Sequence, residues 1–190
     1  MHSRHLSPRR AVADVVMSKT QQLFPYDAMW REVGCAYRAL ELVRADLKAA
    51  VAGLAQDDLD RDPGHGAAPI SALLAHCGAV EAWYVTKVWR RESPPDAWRP
   101  VIDAGALHKG PKPAGMPAER ILAGLDAIRE ASRLALMKAT DPDMDRAVVE
   151  TKGGATTLRW ILHHLLEHEA QHLGQIVLLR RLFGKPLKGT

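Results

Sequence analysis

The chain has 190 residues, of which 47% are hydrophobic and 25% charged, and its formal net charge is +4. These values are ordinary for one globular domain, and they exclude collagen-like and disordered proteins. No apolar run reaches the roughly 18 to 20 residues that a membrane-spanning helix needs. The basic residues are scattered among acidic ones, so the clustered basic face of a nucleic-acid-binding protein is missing.

The N-terminal residues 1–24 are polar and basic, have no sustained hydrophobic period, and predict an arm that precedes the folded domain. Their one apolar stretch, around Val15, is interrupted by Asp14 and is too short for the apolar core of a secretory signal. We therefore expect a cytoplasmic protein with neither a membrane nor a nucleic acid as partner. The folded domain is predicted over residues 25–184, followed by a short tail over 185–190.

Four segments have the three- and four-residue hydrophobic spacing of amphipathic helices. They cover about residues 27–55, 71–91, 117–140 and 157–183. Their ends carry suitable signals, because proline fits a first helical turn and glycine often follows a last one. The residues in question are Pro117 at the start of the third helix, Thr156 or Thr157 as the cap of the fourth, and Gly184 after it.

The connections between these helices are rich in proline and glycine. Residues 53–69 predict a loop, and residues 92–117 form the longest connection, which should run over the surface. Residues 146–150 are compatible with a short extended piece, but nothing in the sequence provides a partner for it. Four long helices without a convincing strand predict an all-α protein built as a four-helix bundle.

The last predicted helix contains His164, His168 and His172, which are spaced by four residues. Consecutive members of such a series lie one turn apart and only about 40° apart around the helix. Two histidines at this spacing can direct their rings at one metal ion. His168 and His172 also border the apolar arc of the helix, so they face the core rather than open water.

A further histidine, His76, lies within an apolar stretch of the second predicted helix. A third imidazole from a facing helix would complete a set of three nitrogens and leave open positions, as in catalytic metal sites. Burying three neutral histidines without a partner is costly, and a metal ion removes that cost. The alternatives are histidines at the surface, or core histidines with hydrogen-bond partners.

Two polar residues of the last helix are candidates for catalytic roles. Glu169 falls inside the apolar arc, where it could hold a ligand histidine from behind or pair with a core arginine. Gln175 lies one turn beyond His172 and could contact a bound water. Glu81 is interpreted as a paired carboxylate of the core, and Cys77 as a small buried residue. The aromatic residues, which line either a pocket or the core, are Trp30, Trp83, Tyr84 and Trp160.

The segments SALLAHCGAVEAWY and EHEAQHLGQI together resemble the DinB/YfiT-like superfamily of metalloenzymes. The resemblance covers about residues 27–183. It implies an up-down-down-up four-helix bundle, often a homodimer, with a long connection between the second and third helices. It also implies one divalent ion, usually nickel or zinc, held by His76, His168 and His172.

Three functions remain open at this point. The resemblance implies an enzyme that transfers a low-molecular-weight thiol to an electrophilic small molecule, in detoxification or stress. A metal-dependent hydrolase is the second possibility, since an ion with open positions also activates water. The third is a module that binds metal or a small ligand without catalysis. A fourth protein ligand that closes the site would favour such a module, and His164 and Glu169 are the candidates.

Overall fold

The computed structural model describes residues 25–107, 115–149 and 154–187, and within them the chain is all-α apart from two short strands. The expected arm over residues 1–24, part of the long connection and the end of the tail lie outside the described residues. The helices are α1 (Arg31–Val51), α2 (Gln56–Asp60), α3 (Ile70–Ala82), α4 (Arg99–Ala104), α5 (Ala118–Leu136) and α6 (Leu158–Leu182).

The four long helices predicted from the sequence correspond to α1, α3, α5 and α6. Their hydrophobic faces pack on one another, α6 against α1 and α3, and α3 against α5. A π-helical segment, Trp83–Arg90, continues α3 and completes the length predicted for the second helix. Across the described ranges, no helix combines the length and apolarity needed to cross a membrane.

The ends of α6 follow the signals in the sequence. The hydroxyl of Thr157 accepts a hydrogen bond from the backbone N–H of Trp160 at 3.2 Å, which identifies Thr157 as the cap. Beyond the helix, Gly184 has φ = 73°, a conformation that glycine adopts without strain. There the N–H of Lys185 donates to the carbonyl of Arg180 at 2.8 Å, closing the helix end.

Buried charges divide the hydrophobic core into two clusters. One cluster surrounds α3, α4 and the first part of α5, and the other lies where α1 meets the first half of α6. Between them lies one charged residue from each long helix, none more than 5% exposed. We call these four residues the charged layer: Arg44, Glu81, Arg129 and Glu169.

The charged layer is fully paired. Arg44 donates to Glu81 at 2.9 Å and also to Glu169, while Arg129 donates to Glu81 at 2.8 Å and to Glu169 at 2.9 Å. Burial alone would raise the pKa of the Glu81 carboxyl, but the two arginines and a hydrogen bond from Ser132 lower it to about 2. Glu81 is therefore charged at neutral pH, and the interpretation of Glu81 as a paired core carboxylate is confirmed.

The expectation of a wandering surface loop over residues 92–117 is wrong for its first half. A 3-10 turn, Asp96–Trp98, leads directly into α4, and Trp98 and Val101 are buried in the core. The apolar residues recur every three positions, but the element is too short for a periodic pattern to stand out beside its prolines. The predicted loop over 53–69 likewise contains a helical turn, α2, whose Leu59 is buried.

The possible extended piece over residues 146–150 is a short strand in the structure. β1 (Ala147–Val149) and β2 (Ala155–Thr157) form an antiparallel pair in which Val148 is opposite Thr156. The partner of the extended piece is thus the tripeptide directly before α6. Its threonines have a high strand propensity, but their position directly before a predicted helix also suits a cap.

Candidate metal centre

Three imidazole rings converge between α3 and α6. His76 lies on α3, and His168 and His172 lie one turn apart on α6. One ligand nitrogen from each residue lies within 4.8 Å of the other two. The ring centroids are separated by 4.9 Å for His76–His168, 5.1 Å for His76–His172 and 4.4 Å for His168–His172. We call these three residues the triad, and they are the three ligands predicted from the sequence.

Hydrogen bonds orient two of these rings from behind. Nδ1 of His76 lies 2.7 Å from the carbonyl oxygen of Gly105, and Nδ1 of His172 lies 2.7 Å from Oε1 of Gln175. A carbonyl oxygen only accepts, so each Nδ1 carries the proton and donates it. The lone pair of each ring is then on Nε2, which is the arrangement usual for metal-binding histidines.

The donor set fits a divalent cation. Nε2 of His172 lies 3.1 Å from Nε2 of His168, so two potential ligand atoms point toward one another. Burial and the neighbouring rings of His172 and His76 lower the pKa of His168 to about 3, so this imidazole is neutral at pH 7. Neutral imidazole is the form that binds zinc, nickel and similar ions.

The two residues predicted to be catalytic have different positions. Gln175 lies next to the triad, in contact with His172. Glu169 belongs to the charged layer, where one carboxylate oxygen accepts from Arg44 and the other from Arg129. Of the two alternatives for Glu169, the structure favours the pairing with core arginines.

His164 lies outside the triad, within a group of aromatic residues. Its ring is stacked on Trp160, with centroids 4.9 Å apart and planes at 6°, and lies 5.8 Å from the ring of His168. Tyr84 contacts both His164 and Trp160, and Trp83 contacts Tyr84. Trp160 and Trp83 are 45% and 47% exposed, so these two rings lie at the surface, whereas Tyr84 also packs against the core.

Cys77, the neighbour of His76, is a small buried residue as expected. Burial raises the pKa of its thiol well above the usual range, and the nearby carboxylate of Glu169 adds to the effect. The thiol therefore stays protonated at neutral pH. Because the thiolate is the nucleophilic form, this cysteine is unsuited to carry a transferred group.

Gly105 is a residue of the site that sequence reasoning missed. It ends α4 and packs so closely on α3 that a Cβ atom there would lie 2.5 Å from the carbonyl oxygen of Ala75 and 2.7 Å from Cβ of Ala79. Only glycine permits this approach, which puts the Gly105 carbonyl on His76. The sequence does contain one signal for it. Gly105 directly follows a short apolar repeat, as a glycine that ends a helix does, but it lies within residues 92–117, which were predicted to be a surface loop.

Replacing Gly105 with alanine should weaken metal binding by about 10- to 100-fold, the usual effect of losing a hydrogen-bond partner of a ligand. The added methyl group forces α4 away from α3 and removes the acceptor of His76. Isothermal titration with zinc measures the change. Gly174→Ala is the matched control, because nothing lies within 4 Å of a Cβ there. Equal zinc affinities for the two variants would contradict the orienting role.

One of the comparisons with known proteins identifies a family for this chain. A family model described as Mycothiol-S-transferase matches residues 37–184. The matched residues include the whole triad, Gly105 and Gln175. The comparison with curated proteins gives no match. Since the family model matches most of the chain, the protein belongs to the mycothiol-S-transferase family, within the DinB/YfiT-like superfamily indicated by the sequence.

Proposed function

We propose that this protein is a divalent-metal-dependent enzyme that transfers a low-molecular-weight thiol, with mycothiol as the first candidate, to an electrophilic small molecule. The observation that carries the proposal is the convergence of three imidazoles from α3 and α6 in a chain of this family. Three neutral ligands leave the charge of a divalent ion uncompensated, so such an ion would stabilise the thiolate form of a thiol bound to it.

The proposed reaction is a substitution at carbon. The thiol loses its proton to water, its sulfur forms a bond to an electrophilic carbon, and the leaving group departs from that carbon with the bonding electron pair. Among the described residues, the group that could hold an ion consists of the triad alone, which favours open positions over a closed structural site. Nickel and zinc are the proposed ions.

The roles of the surrounding residues follow from their contacts. The triad would hold the ion, with His76 oriented by Gly105 and His172 by Gln175. Gln175 is thus proposed as the polar residue that acts closest to the reacting groups. Glu169 is proposed as a positioning residue, because the charged layer links α6, which carries two histidines, to α3, which carries the third.

We also propose that the four long helices have the up-down-down-up order of a bundle and that the protein is a homodimer. The packing of α6 on both α1 and α3 supports the bundle. Sedimentation velocity on the full chain measures the oligomeric state, and a monomer at micromolar concentration would contradict the dimer.

The thiol-transfer proposal can be tested with protein purified without an affinity tag and loaded with cobalt. Mycothiol, glutathione and bacillithiol are added in turn, and the charge-transfer absorption of a cobalt–thiolate bond is recorded. We expect a new band with mycothiol, and a thioether product when monobromobimane is supplied as the electrophile. If no thiol perturbs the spectrum, thiol transfer is wrong. Hydrolysis of an ester in the absence of thiol would support the hydrolase instead. A cobalt spectrum that shows every coordination position filled by the protein would support the binding module.

Replacing Gln175 with methionine should lower the affinity for zinc by about 10- to 100-fold, because the Nδ1 proton of His172 loses its acceptor. Competition with a chromophoric chelator measures this affinity. Gln171→Met serves as the control, since Gln171 is exposed on the same helix one turn earlier. If Gln175→Met binds zinc as tightly as Gln171→Met does, Gln175 does not orient the ligand.

A further inference from the structure

A cavity of about 380 Å³ lies directly beside the triad. Two polar residues, His172 and Gln175, form part of its wall, and they are hydrogen-bonded to each other. The rest of the wall consists of the small residues 66–68 and four leucines: Leu73, Leu107, Leu178 and Leu179. The volume falls within the range of about 300 to 1,000 Å³ that small-molecule sites usually have.

We propose that this cavity binds the electrophile and selects an uncharged molecule with an apolar body. The inference rests on the proposed thiol transfer and adds the class of the second substrate. Among the described residues, the wall includes no aspartate, glutamate, lysine or arginine. A charged substrate would lose its hydration there without gaining an ionic partner, which is strongly unfavourable. An apolar substrate would instead remove leucine surface from water.

The position of the cavity assigns it to the reaction. His172 belongs both to the triad and to the cavity wall, so the cavity adjoins the triad on the side of this ring that faces Gln175. A neighbouring cavity of about 200 Å³ shares residues 66–68 and Leu107 but contains no triad residue, and its wall includes Asp62 and His65. The two cavities therefore differ in the charge of their walls and in their contact with the triad. Of the two, only the larger one suits an apolar reactant.

Leu178 provides a direct test because it lines the cavity and is 55% exposed, so an aspartate there should not prevent folding. Leu182 is the matched control. It is 69% exposed, lies one turn further along α6 and is not part of the cavity wall. Leu178→Asp places a carboxylate in the proposed binding site, whereas Leu182→Asp adds the same charge to the same helix outside it.

The first measurement needs no thiol and no turnover. Binding of the uncharged fluorophore N-phenyl-1-naphthylamine is titrated with wild type and both variants. We expect the affinity to fall about tenfold or more in Leu178→Asp and to change by less than about twofold in Leu182→Asp. Failure of the wild type to bind the fluorophore, or equal binding by the two variants, would overturn the proposal. So would a loss of dimer in Leu178→Asp with fluorophore binding retained, since the face would then be a subunit interface.

The second measurement concerns turnover by the metal-loaded protein with mycothiol. Monobromobimane is uncharged, and monobromotrimethylammoniobimane is its cationic analogue. We expect wild type to prefer the uncharged reagent, and Leu178→Asp to raise KM for it about tenfold with little change in kcat, as for a lost contact made equally in ground and transition states. Equal use of both reagents by wild type would overturn the proposed selectivity. Fluorophore binding without turnover by any form would instead contradict the thiol transfer and leave the apolar site standing.

Discussion

Replacing His168 with alanine should deprive the protein of its ion and of its thiol-transfer activity. His168 is the ring closest to His172 and, with His76, completes the set of nitrogens within 4.8 Å. Two remaining histidines make a much weaker site. We expect the zinc affinity to fall by more than about 100-fold, beyond the loss caused by removing a hydrogen-bond partner of a ligand. Competition with a chromophoric chelator measures the affinity, and mass spectrometry of the thioether product measures the activity.

The control for this experiment is His163→Ala. His163 is an exposed histidine of the same helix outside the triad, so its loss should leave zinc affinity and transfer activity unchanged. Adding a chelator to the wild type should reproduce the His168→Ala phenotype, and adding zinc back should reverse it in the wild type alone. Tight zinc binding by His168→Ala, or an equal loss in His163→Ala, would show that the ion binds elsewhere.

Replacing Glu81 with alanine should destabilise the fold by about 3 to 5 kcal/mol, the effect of removing one partner from a buried ion pair. Glu81 accepts hydrogen bonds from both Arg44 and Arg129, and all three residues are at most 5% exposed. Its removal leaves the guanidinium groups with half of their buried carboxylate partners. Urea denaturation followed by circular dichroism measures the free energy of unfolding.

An exposed ion pair provides the comparison. Lys48 and Asp126 also join α1 to α5, but their side chains are 39% and 51% exposed. Lys48→Ala should therefore cost less than about 1 kcal/mol, because solvent screens the pair. If Glu81→Ala is no more destabilising than Lys48→Ala, the charged layer does not hold the helices together.

The long helices and the triad could be predicted because their sequence signals lie within a few residues or stand out from their neighbours in polarity. The spacing of His168 and His172 fixes their relative position on any helix, whatever packs around it. His76 was recognisable because it is a polar residue within an apolar stretch. The cap Thr157 and the terminator Gly184 act within one turn of the helix they bound.

The arginines of the charged layer and the Gly105 contact could not be predicted, because they depend on which helices become neighbours. Arg44 and Arg129 look like ordinary charges of amphipathic helices, and only the packing of α1 and α5 buries them. Conversely, Leu134 is an apolar residue of the amphipathic helix α5, yet it is 50% exposed. For the arginines and for the leucine alike, helical periodicity predicted the helix but not the burial of the side chain.

The hydrogen bond from His76 to Gly105 joins segments that meet only in the folded chain. The same holds for the convergence of His76 with the pair on α6. An ion that needs all three rings would therefore bind the native state and hardly at all the unfolded chain. By thermodynamic linkage, free zinc at a hundred times its dissociation constant would add about 2.7 kcal/mol to the stability of the fold. Thermal melts at graded zinc concentrations therefore measure how much zinc binding stabilises the fold, and they need no substrate.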